Sequence, residues 1–509
     1  MPSPAKTLWL QDFKGLNDAN SPGKSPTTTP DELNVKHRFG HVIARGGLAK
    51  YLSISTASAT TPILGLFHYA KASGTNLAVR MTPTAVHVLN TGTVAWDTIT
   101  GTALTGASTT RPQATIIDDT LVFTNEGEDL PRKYTGSGNT ASIASGTSPY
   151  AKCIEAYLGF LFLGNVSDSG AFTDVFDGHR IIRYSDDWDN DWTLCEGNEL
   201  TLDETPGNLV AMKVMGRDLI CYKDDGLVKV RFVGGQVRFQ QEKINVDVGC
   251  IAPLSVASVA DSAHIFLGTD AVLYLVTPQE VRPISYEHLS NTLPTTFSLG
   301  KLKYARAVVD STTDTYYLFY DRTGQSGQLL DAYVSYNFRS GEFSRGRLGT
   351  TVVATVEHRP TALVAPTVLL STSTLVEEFD SGADDDGTSI SRYVTTNWQG
   401  LGEEGVIQGA RLVFKKVAAG TVRISLATDF SETYGFAQHF NLKGGANDDL
   451  YTELYYRLPN IYADWFNLKV SFHPSTTGEI ALRRVGLELM PLHDDRNLPE
   501  RGGSKATVA

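Results

Sequence analysis

One segment of the sequence has the residue types of a phosphate-binding loop. Gly23-Lys24-Ser25 matches the last residues of such a loop, in which backbone N–H groups and a lysine hold phosphate oxygens. The match is incomplete, because the position five residues before Gly23 is Asp18 instead of glycine. Pro26 and Pro30 also oppose the helix that must follow the loop. We therefore expect no nucleotide site here.

A second segment spaces carboxylates as calcium loops do. Asp186-Asp-Trp-Asp-Asn-Asp-Trp192 has carboxylates at 187, 189 and 191. The sixth position of a calcium loop requires glycine and the twelfth glutamate, but here they are Trp192 and Asn198. The sequence favours a solvated turn anchored by Trp188 and Trp192, with a calcium site as the alternative.

Asp384-Asp-Asp-Gly387 is the third candidate. A glycine after aspartates is typical of a tight turn, since glycine adopts positive φ and an aspartate caps the corner. The sequence therefore predicts a turn, with a metal site as the alternative.

Side chains of the types that enzymes use for catalysis do not form a recognisable motif in the sequence. His37 and His41 are the only histidines four residues apart, and they lie in a segment without a helical pattern. No Gly-x-Ser-x-Gly motif occurs, which argues against a serine hydrolase. A glycosidase needs two carboxylates at a fixed separation, which the sequence does not locate. We predict no enzyme, no catalytic or metal-binding residues and no cofactor.

The four cysteines, Cys153, Cys195, Cys221 and Cys250, are widely separated. Metal-binding cysteines usually occur as close pairs, and a disulfide framework needs a higher density of cysteines. We expect four free, buried thiols.

Composition limits the class of protein. The 509 residues are 41% hydrophobic and 20% charged, which is enough apolar material for a core. There is no apolar run of about 18 residues and no apolar leader after Met1, so we expect no membrane insertion and a cytoplasm-like compartment.

The net charge is −12, which argues against general nucleic-acid binding. Residues 1–50 carry seven cations and four anions, so they are basic and the remainder is at −15.

The pattern of strands predicts an all-β fold of two units. Residues 1–58 are rich in glycine and proline and are expected to form an extended arm. Residues 1–50 of the arm should pack largely outside the propeller, on the platform or on a neighbouring subunit. Over 59–387, short β-branched and aromatic runs recur in clusters every 40–55 residues or so, which predicts a β-propeller of six or seven blades. One short helix is expected at 286–293, with Ser285 as its cap.

The C-terminal part has a different pattern. Residues 388–491 contain longer strands in which apolar and polar residues alternate, as in Val422, Ile424 and Leu426. Such alternation is typical of half-buried strands and predicts a β-sandwich platform domain. Residues 492–509 are polar and are expected to form a tail.

The order of several short motifs resembles one family. The motifs are Asp12-Phe-Lys-Gly-Leu-Asn-Asp-Ala-Asn-Ser-Pro22, Asp31-Glu-Leu-Asn34, Gly40-His-Val-Ile-Ala-Arg-Gly-Gly47, Arg183-Tyr-Ser185, Gly216-Arg-Asp-Leu-Ile-Cys-Tyr-Lys223, Val248-Gly-Cys-Ile-Ala-Pro-Leu-Ser255, Pro283-Ile-Ser285, Tyr336-Asn337 with Gly341 and Phe343, and Asp384-Asp-Asp-Gly387 before Tyr393-Val-Thr-Thr396. Together they resemble the tail-nozzle proteins of short-tailed bacteriophages, also named packaged-DNA stabilisation proteins. Phe343 departs from the family pattern, which has tryptophan there.

The resemblance implies a structural virion protein with a propeller body and a platform. It implies a ring of several copies, typically a hexamer, in the tail of the virion after assembly in the host cytoplasm. The ring would dock below the portal and adaptor proteins and carry tail fibres or tailspikes. Genomic DNA would pass through the channel without specific binding, along an acidic lumen for which residues 384–387 and 187–191 are candidates.

Two other functions remain open. A host-recognition or glycan-degrading tail propeller would bind or hydrolyse glycans as a free monomer. A cellular propeller scaffold would not be found in virions.

Overall fold

The computed structural model confirms the all-β fold. It describes residues 6–19, 25, 27–54, 61–144, 148–167, 178–190, 192, 198–235, 237–244, 247–293, 297–322, 324, 328–417, 419–442, 452–474 and 480–491. In this part of the chain, 55% of the residues are in strands and 4% in helices. Seven four-stranded sheets form a propeller of seven blades, and a ten-stranded sheet forms the second unit.

The arm contributes five strands before the first blade begins. They are β1 (Lys6–Gln11), β2 (Glu32–Leu33), β3 (Val35–Arg38), β4 (His41–Ala44) and β5 (Leu48–Lys50). Blade 1 then contains β6 (Gly65–Ala70), β7 (Asn76–Met81), β8 (Val86–Asn90) and β9 (Ala95–Thr98). Blade 2 contains β10 (Gln113–Ile117), β11 (Thr120–Thr124), β12 (Arg132–Tyr134) and β13 (Ala141–Ser142).

The next three blades repeat the same antiparallel meander. Blade 3 contains β14 (Tyr150–Tyr157), β15 (Phe160–Ser167), β16 (Ile181–Ser185) and β17 (Glu199–Thr201). Blade 4 contains β18 (Leu209–Met215), β19 (Asp218–Lys223), β20 (Leu227–Phe232) and β21 (Phe239–Ile244). Blade 5 contains β22 (Ala257–Ala260), β23 (Ala263–Leu267), β24 (Leu273–Val276) and β25 (Val281–Pro283).

The last two blades differ in how they end. Blade 6 contains β26 (Arg306–Asp310), β27 (Thr315–Tyr320), β28 (Leu330–Asn337) and β29 (Phe343–Val352). Blade 7 takes only three strands from this region, β30 (Ala354–His358), β31 (Thr367–Ser371) and β32 (Val376–Phe379). Its fourth strand is β5 of the arm, which pairs antiparallel with β32 so that Lys50 opposes Glu377 and Leu48 opposes Phe379.

The blades form because each is a local meander with tight turns. Asp118 and Asp119 both have positive φ between β10 and β11, as do Leu158 and Gly159 between β14 and β15, which matches the right-handed twist of the strands. The second strands, such as β11, β19 and β27, are buried along their whole length. A strand with a neighbouring blade on each face has no exposed side, so it is mostly apolar, and the polar Asp218 and Lys223 at the ends of β19 are hydrogen-bonded.

Hydrophobic cores between adjacent blades hold the ring together. Each neighbouring pair of blades shares one core, and a further core joins blade 7 to blade 1 through residues such as Leu369 and Trp96. The ring is therefore closed both by packing and by the arm strand in blade 7. The prediction that residues 1–50 pack largely outside the propeller is therefore wrong for β5, which is the outer strand of blade 7.

The second unit is one continuous sheet that curls into a nearly closed barrel. Its strands from the C-terminal part are the short β33 (Tyr393–Thr395) and the longer β34 (Gln399–Val417), β35 (Gly420–Thr428), β36 (Phe436–Leu442), β37 (Thr452–Pro474) and β38 (Ile480–Pro491). The main order is β2-β33-β37-β34-β38-β4-β3, with β1 also on β38, and with β35 between β37 and β36. The platform predicted from residues 388–491 thus includes four strands of the arm. Register shifts between Gly400 and Gly405 and between Ile407 and Gly409 allow the long strands to bend.

The helix expected at 286–293 is only partly present, because 286–291 form turns and a bend while 292 and 293 are helical. The backbone N–H of Leu293 donates to the carbonyl of Leu289 at 3.1 Å, as in an α-helix. The side chain of Ser285 does not cap a helix, because its Oγ accepts a hydrogen bond from the backbone N–H of Leu273 at 2.9 Å. The 3-10 helices of the described chain are Tyr51–Ser53, Gly178–Arg180, Pro253–Ser255 and Leu299–Tyr304. The tail, 492–509, lies outside the described residues.

Candidate functional site at the joint between arm, propeller and barrel-like sheet

The arm crosses the outer strand of blade 6 before it reaches the sheet. The backbone N–H of Leu16 donates to the carbonyl of Phe343 at 2.8 Å, and that of Asp18 donates to the carbonyl of His288 at 3.0 Å. Leu16 is fully buried in the core shared by blades 5 and 6. Gly15 has a φ of +85°, and a Cβ there would lie 2.8 Å from the carbonyl oxygen of Phe343. Only glycine fits this crossing.

Asn34 connects the arm to two other parts of the chain. Its side-chain amide donates to the carbonyl of Ser391 at 2.9 Å, and its Oδ1 accepts from the backbone N–H of Arg347 at 2.9 Å. Asn34 has a φ of +53°, a left-handed conformation that asparagine tolerates better than most residues. One side chain therefore ties the arm to β29 and to the segment that enters β33.

A buried cluster of Thr29, Glu32 and His37 fixes the middle of the arm. Glu32 Oε2 lies 2.6 Å from His37 Nε2 and accepts a hydrogen bond from Thr29 Oγ1 at 2.6 Å. Burial alone would lower the pKa of His37, but Glu32 outweighs that effect and the pKa is raised above its ordinary value. The charged imidazolium is therefore favoured in the folded protein.

The pair Arg45 and Asp385 lies where the arm meets the end of the propeller. Arg45 Nη2 donates to Asp385 Oδ2 at 2.8 Å, and both side chains are almost fully buried, at 0% and 1% exposure. The same Oδ2 accepts from the backbone N–H of Gly349 at 2.8 Å. Burial would lower the pKa of Arg45, but Tyr333 and Asp385 raise it. The pair joins the arm, β29 and the 384–387 turn at one point.

Two glycines let the arm approach this turn closely. A Cβ on Gly46 would lie 2.4 Å from the carbonyl oxygen of Asp380, and one on Gly47 would lie 1.7 Å from that of Asp384. Lys36 forms an ion pair with Asp380 beside them. One short motif therefore has both functions. Arg45 forms the ion pair with Asp385, and the next two residues, Gly46 and Gly47, permit the close approach of the backbones.

Asp31 forms the last part of the joint. Its Oδ1 accepts from Arg345 Nη2 at 2.5 Å and from the hydroxyl of Tyr393 at 3.2 Å. Burial, with a contribution from Asp31, raises the pKa of Tyr393 to about 12. Arg345 lies on blade 6 and Tyr393 on β33, so Asp31 connects the propeller to the sheet. We call these contacts of residues 12–50 the arm joint.

Comparisons with known proteins leave the function open. No family model matches the chain, and no curated protein matches it. Similar solved structures include the extracellular domain of a hybrid two-component system from B. thetaiotaomicron, with a TM-score of 0.42 and 10% identity over 77% of this chain and 47% of that chain. The chain therefore spans about half the length of that structure.

Two further structures are similar at the level of the fold. They are the WD40 domain of Neurospora crassa Pan2, with a TM-score of 0.38 and 9% identity over 66% of this chain and 94% of that chain, and YCF48 from Cyanidioschyzon merolae, with a TM-score of 0.35 and 9% identity over 66% and 98%. None of the three is described as a phage protein, and likenesses this distant carry no argument about function.

The aspartate-rich segment at 186–192 is a turn anchored by tryptophans, as predicted. Trp188 Nε1 donates to Asp118 Oδ2 at 3.0 Å, and Trp192 Nε1 donates to the carbonyl of Trp188 at 2.9 Å. Both indole rings are buried in the core between blades 2 and 3. Asp191 lies outside the described residues.

The 384–387 segment is also a tight turn, as predicted. Gly387 has a φ of +86°, and its N–H donates to Asp384 Oδ1 at 2.9 Å. Asp385 points inward to Arg45, which was not expected and which removes it from the candidates for a channel surface. Within the described residues there is no group of three or more histidine, cysteine, aspartate or glutamate side chains placed to hold a metal ion.

The remaining candidates are not brought together. Gly23 and Lys24 lie outside the described residues, and the carbonyl of Ser25 accepts a hydrogen bond from Asn397 at 3.2 Å. His37 is buried, whereas His41 is half-buried and its Nδ1 contacts the backbone carbonyls of Arg38 and Phe39.

The described cysteines match the expectation of free, buried thiols. Cys153, Cys221 and Cys250 are unpaired and buried, and burial raises the pKa of Cys153 and of Cys250 to about 12. Cys195 lies outside the described residues. In the described chain, no helix is long and apolar enough to cross a bilayer.

No pattern in the sequence indicated which residues are partners within the arm joint. Arg45 and Asp385 are 340 residues apart in the sequence. The motif around Arg45 was visible, but its glycines indicated only a turn. The adjacent Gly46 and Gly47 could have indicated that another backbone approaches closely. They do not identify which segment of the chain that backbone belongs to.

The raised pKa of His37 leads to a pH-dependent prediction. A group whose pKa is raised by folding stabilises the fold below its unfolded value, near 6.5, and this stabilisation is lost as the pH rises through the folded value. We expect His37→Gln to be less stable than the wild type at pH 5, with a gap that narrows toward pH 9. Urea unfolding across this range measures the gap.

His41→Gln is the matched control for this prediction, because His41 lies on the same hairpin but its Nδ1 contacts backbone carbonyls instead of a carboxylate. It should follow the wild-type pH profile. A constant gap between His37→Gln and the wild type at every pH would show that Glu32 and His37 are not coupled by charge.

Proposed function

We propose that the chain is a structural subunit of the tail nozzle of a short-tailed bacteriophage. In this role several copies, six in the family that the sequence resembles, form a ring below the portal and adaptor proteins. The ring carries tail fibres or tailspikes and conducts and retains the genomic DNA.

The observation that carries the proposal is the position of the motif residues. Gly15, Asn34, Arg45 and Phe343, which belong to the motifs of the resemblance, all lie in the arm joint. These residues form hydrogen bonds with backbone groups or allow two backbones to pass close together, and so they hold one segment against another. A set of motifs whose residues build a joint supports a protein with a mechanical role better than an enzyme.

Motif residues outside the arm joint have the same kind of role. Lys223 Nζ is buried and donates to the carbonyl of Leu202 at 2.8 Å, which ties blade 4 to the end of blade 3. Ser255 Oγ accepts from the backbone N–H of Leu267 at 3.0 Å and donates to the carbonyl of Ala252 at 2.7 Å. Each polar side chain stabilises a connection between strands or blades.

The test of the tail role uses purified virions and the purified full-length chain. We expect the free chain to form closed rings in negative-stain images, with a light-scattering mass of six 55.3-kDa chains. An antibody against the chain should label the tail end of virions. Absence of the chain from virions would reject the proposal, whereas a monomer that is present in virions would reject only self-assembly.

The charge of the chain leads to a prediction about DNA. A ring of chains that each carry a net charge of −12 is net negative, so we expect it to bind duplex DNA weakly. Fluorescence anisotropy with labelled duplex at about 50 to 200 mM salt should show little binding and a shallow salt dependence. Tight binding at low salt that falls steeply as salt rises would reveal a basic channel and contradict the prediction.

One observation favours host recognition as a second function. Trp398, Phe430 and Trp465 form a row at one end of the barrel-like sheet, with ring centroids 4.9 and 5.2 Å apart. Phe430 is 50% exposed at a φ of +59°. Exposed aromatic faces mark binding surfaces, and sugars present flat apolar faces to such rings. Glycan binding by the free chain that is lost in Phe430→Ala would support this role.

A further inference from the structure

The outer face of the barrel-like sheet exposes large side chains. Tyr455 and Tyr462 of β37 are 49% and 59% exposed, whereas Leu458 of the same strand is buried in the core of the sheet. Tyr462 and Met490 of β38 both lie opposite Val406 of the intervening β34, so they are neighbours on the outer face. We call Tyr455, Tyr462 and Met490 the tyrosine face. Tyrosine and methionine are enriched in the central parts of protein interfaces.

Charged side chains order the tyrosine face. Arg411 of β34 donates to Glu453 at 2.9 Å and to Glu488 at 2.6 Å. Its guanidinium lies 5.1 Å from the ring centre of Tyr455. Glu488 precedes Met490 by two residues on β38, so it connects the two ends of the face. One arginine serves two carboxylates, and this group therefore has one negative charge in excess.

A second exposed apolar surface is the hairpin between β20 and β21 in blade 4. Phe232, Val233 and Val237 are 45%, 49% and 66% exposed. The backbone N–H of Val233 donates to the carbonyl of Arg238 at 2.9 Å, which holds the hairpin in one conformation. We call Phe232, Val233 and Val237 the blade 4 tip.

The fold of a blade does not require apolar residues at this turn. The corresponding turn of blade 5, between β24 and β25, exposes Pro278, Gln279 and Glu280 and no large apolar side chain. A group of exposed apolar residues that the turn does not need is typical of a surface that contacts another molecule.

The charges beside the blade 4 tip complement those of the tyrosine face. The residues that precede and follow the tip in the sequence are both arginines, Arg231 and Arg238. Their side chains are 56% and 41% exposed, so each is open to a further carboxylate. The tyrosine face has such a carboxylate, since Glu453 and Glu488 share Arg411. Arginine and carboxylate groups form strong, directional pairs.

The two surfaces lie on different sides of the chain. The barrel-like sheet is joined to blades 6 and 7 through the arm joint, whereas the tip is on blade 4. A contact between the tyrosine face of one copy and the tip of the next leaves one free tip and one free face at the two ends. Contacts of this head-to-tail kind close into a ring when the rotation between copies allows it.

We propose that the tyrosine face of one copy docks on the blade 4 tip of the next copy, and that this contact builds the ring. The inference rests on the ring of the proposed function and identifies the surfaces that form it. The tyrosines and Phe232 are the apolar anchors, and the arginines and glutamates form the polar rim.

The test is the assembly of two full-length variants that each lack one surface. Val233→Asp/Val237→Asp changes the tip, and Tyr462→Asp/Met490→Asp changes the face. Each variant alone should need at least about tenfold more chain than the wild type to form rings, because a few central residues carry most of the binding energy. An equimolar mixture at high concentration should form a dimer of two 55.3-kDa chains and nothing larger, as measured by light scattering. Only the intact face of one variant and the intact tip of the other are able to meet.

Leu363→Asp is the matched control, because Leu363 is 98% exposed on the turn between β30 and β31 and belongs to neither surface. It should form rings as the wild type does. Unchanged assembly of either double variant, or a mixture that stays monomeric, would overturn the proposed contact and leave the tail role intact. A monomeric wild type would also overturn it, while the labelling of virions would still decide the tail role.

A second measurement keeps the test valid if a double variant does not fold. A photo-crosslinking residue at position 462 of the otherwise unchanged chain should capture a peptide of another copy that contains Val237. Capture of a different segment alone would overturn the contact.

Discussion

Arg45→Met is expected to destabilise the protein by about 3–5 kcal/mol, because it leaves Asp385 buried without its partner. Asp385 keeps its hydrogen bond from the backbone N–H of Gly349, which does not neutralise the charge. The effect should appear as a lower midpoint of urea unfolding and a lower thermal midpoint. Loss of soluble protein would be the extreme form of the same result.

Lys50→Met is the matched control for this prediction. Lys50 pairs with Asp386 at 3.3 Å in the same region, but the two side chains are 34% and 42% exposed. An exposed pair contributes about 0–1 kcal/mol, so the variant should unfold close to the wild type. If Arg45→Met costs no more than Lys50→Met, the buried pair does not hold the joint.

A double variant separates the charge from the geometry. Arg45→Met/Asp385→Asn removes both charges and keeps a side-chain oxygen to accept the N–H of Gly349. We expect it to recover part of the stability that Arg45→Met loses, because no buried charge remains unpaired. No recovery would indicate that the packing of Arg45 against Phe379, 5.5 Å from the ring centre, matters more than its charge.

Deletion of residues 1–50 is expected to abolish the folded protein as well as its assembly. The deletion removes β5, so β32 becomes an unpaired edge and blade 7 has three strands. It also removes β1 to β4 from the ten-stranded sheet. We expect aggregation, or a monomer that has lost cooperative unfolding, as measured by light scattering and thermal unfolding.

A shorter deletion provides the comparison. Removal of residues 1–11 takes away β1, which pairs only with β38, and keeps β5 and the arm joint. This variant should remain soluble and unfold cooperatively at a lower temperature. A stable ring formed without residues 1–50 would contradict the role of the arm in both units.

Local features of the sequence were sufficient for the propeller. Each blade is a meander of neighbouring strands, so its apolar runs and turns all occur within about 40–55 consecutive residues. The turns at 186–192 and 384–387 were likewise predictable, because tryptophan, aspartate and glycine act within a few residues of each other. These features depend on short-range geometry.

The helix predicted at 286–293 is correct only at its end, since 292 and 293 are helical and turns precede them. Leu289 and Leu293 are buried in the core of blades 5 and 6, and the carbonyl of His288 accepts from the backbone N–H of Asp18 in the arm. This long-range bond lies in the turns, and local propensity does not predict it.

The sequence by itself determined the all-β class, the repeating blades and the turns, because each depends on residues that are close in the chain. Only the tertiary structure decided that Leu48–Lys50 completes blade 7 and that Arg45 meets Asp385. A three-residue strand or a single arginine carries no information about its partner several hundred residues away. Those partners are chosen by the closure of the ring and the curling of the sheet, which bring distant backbones together only when the whole core has packed.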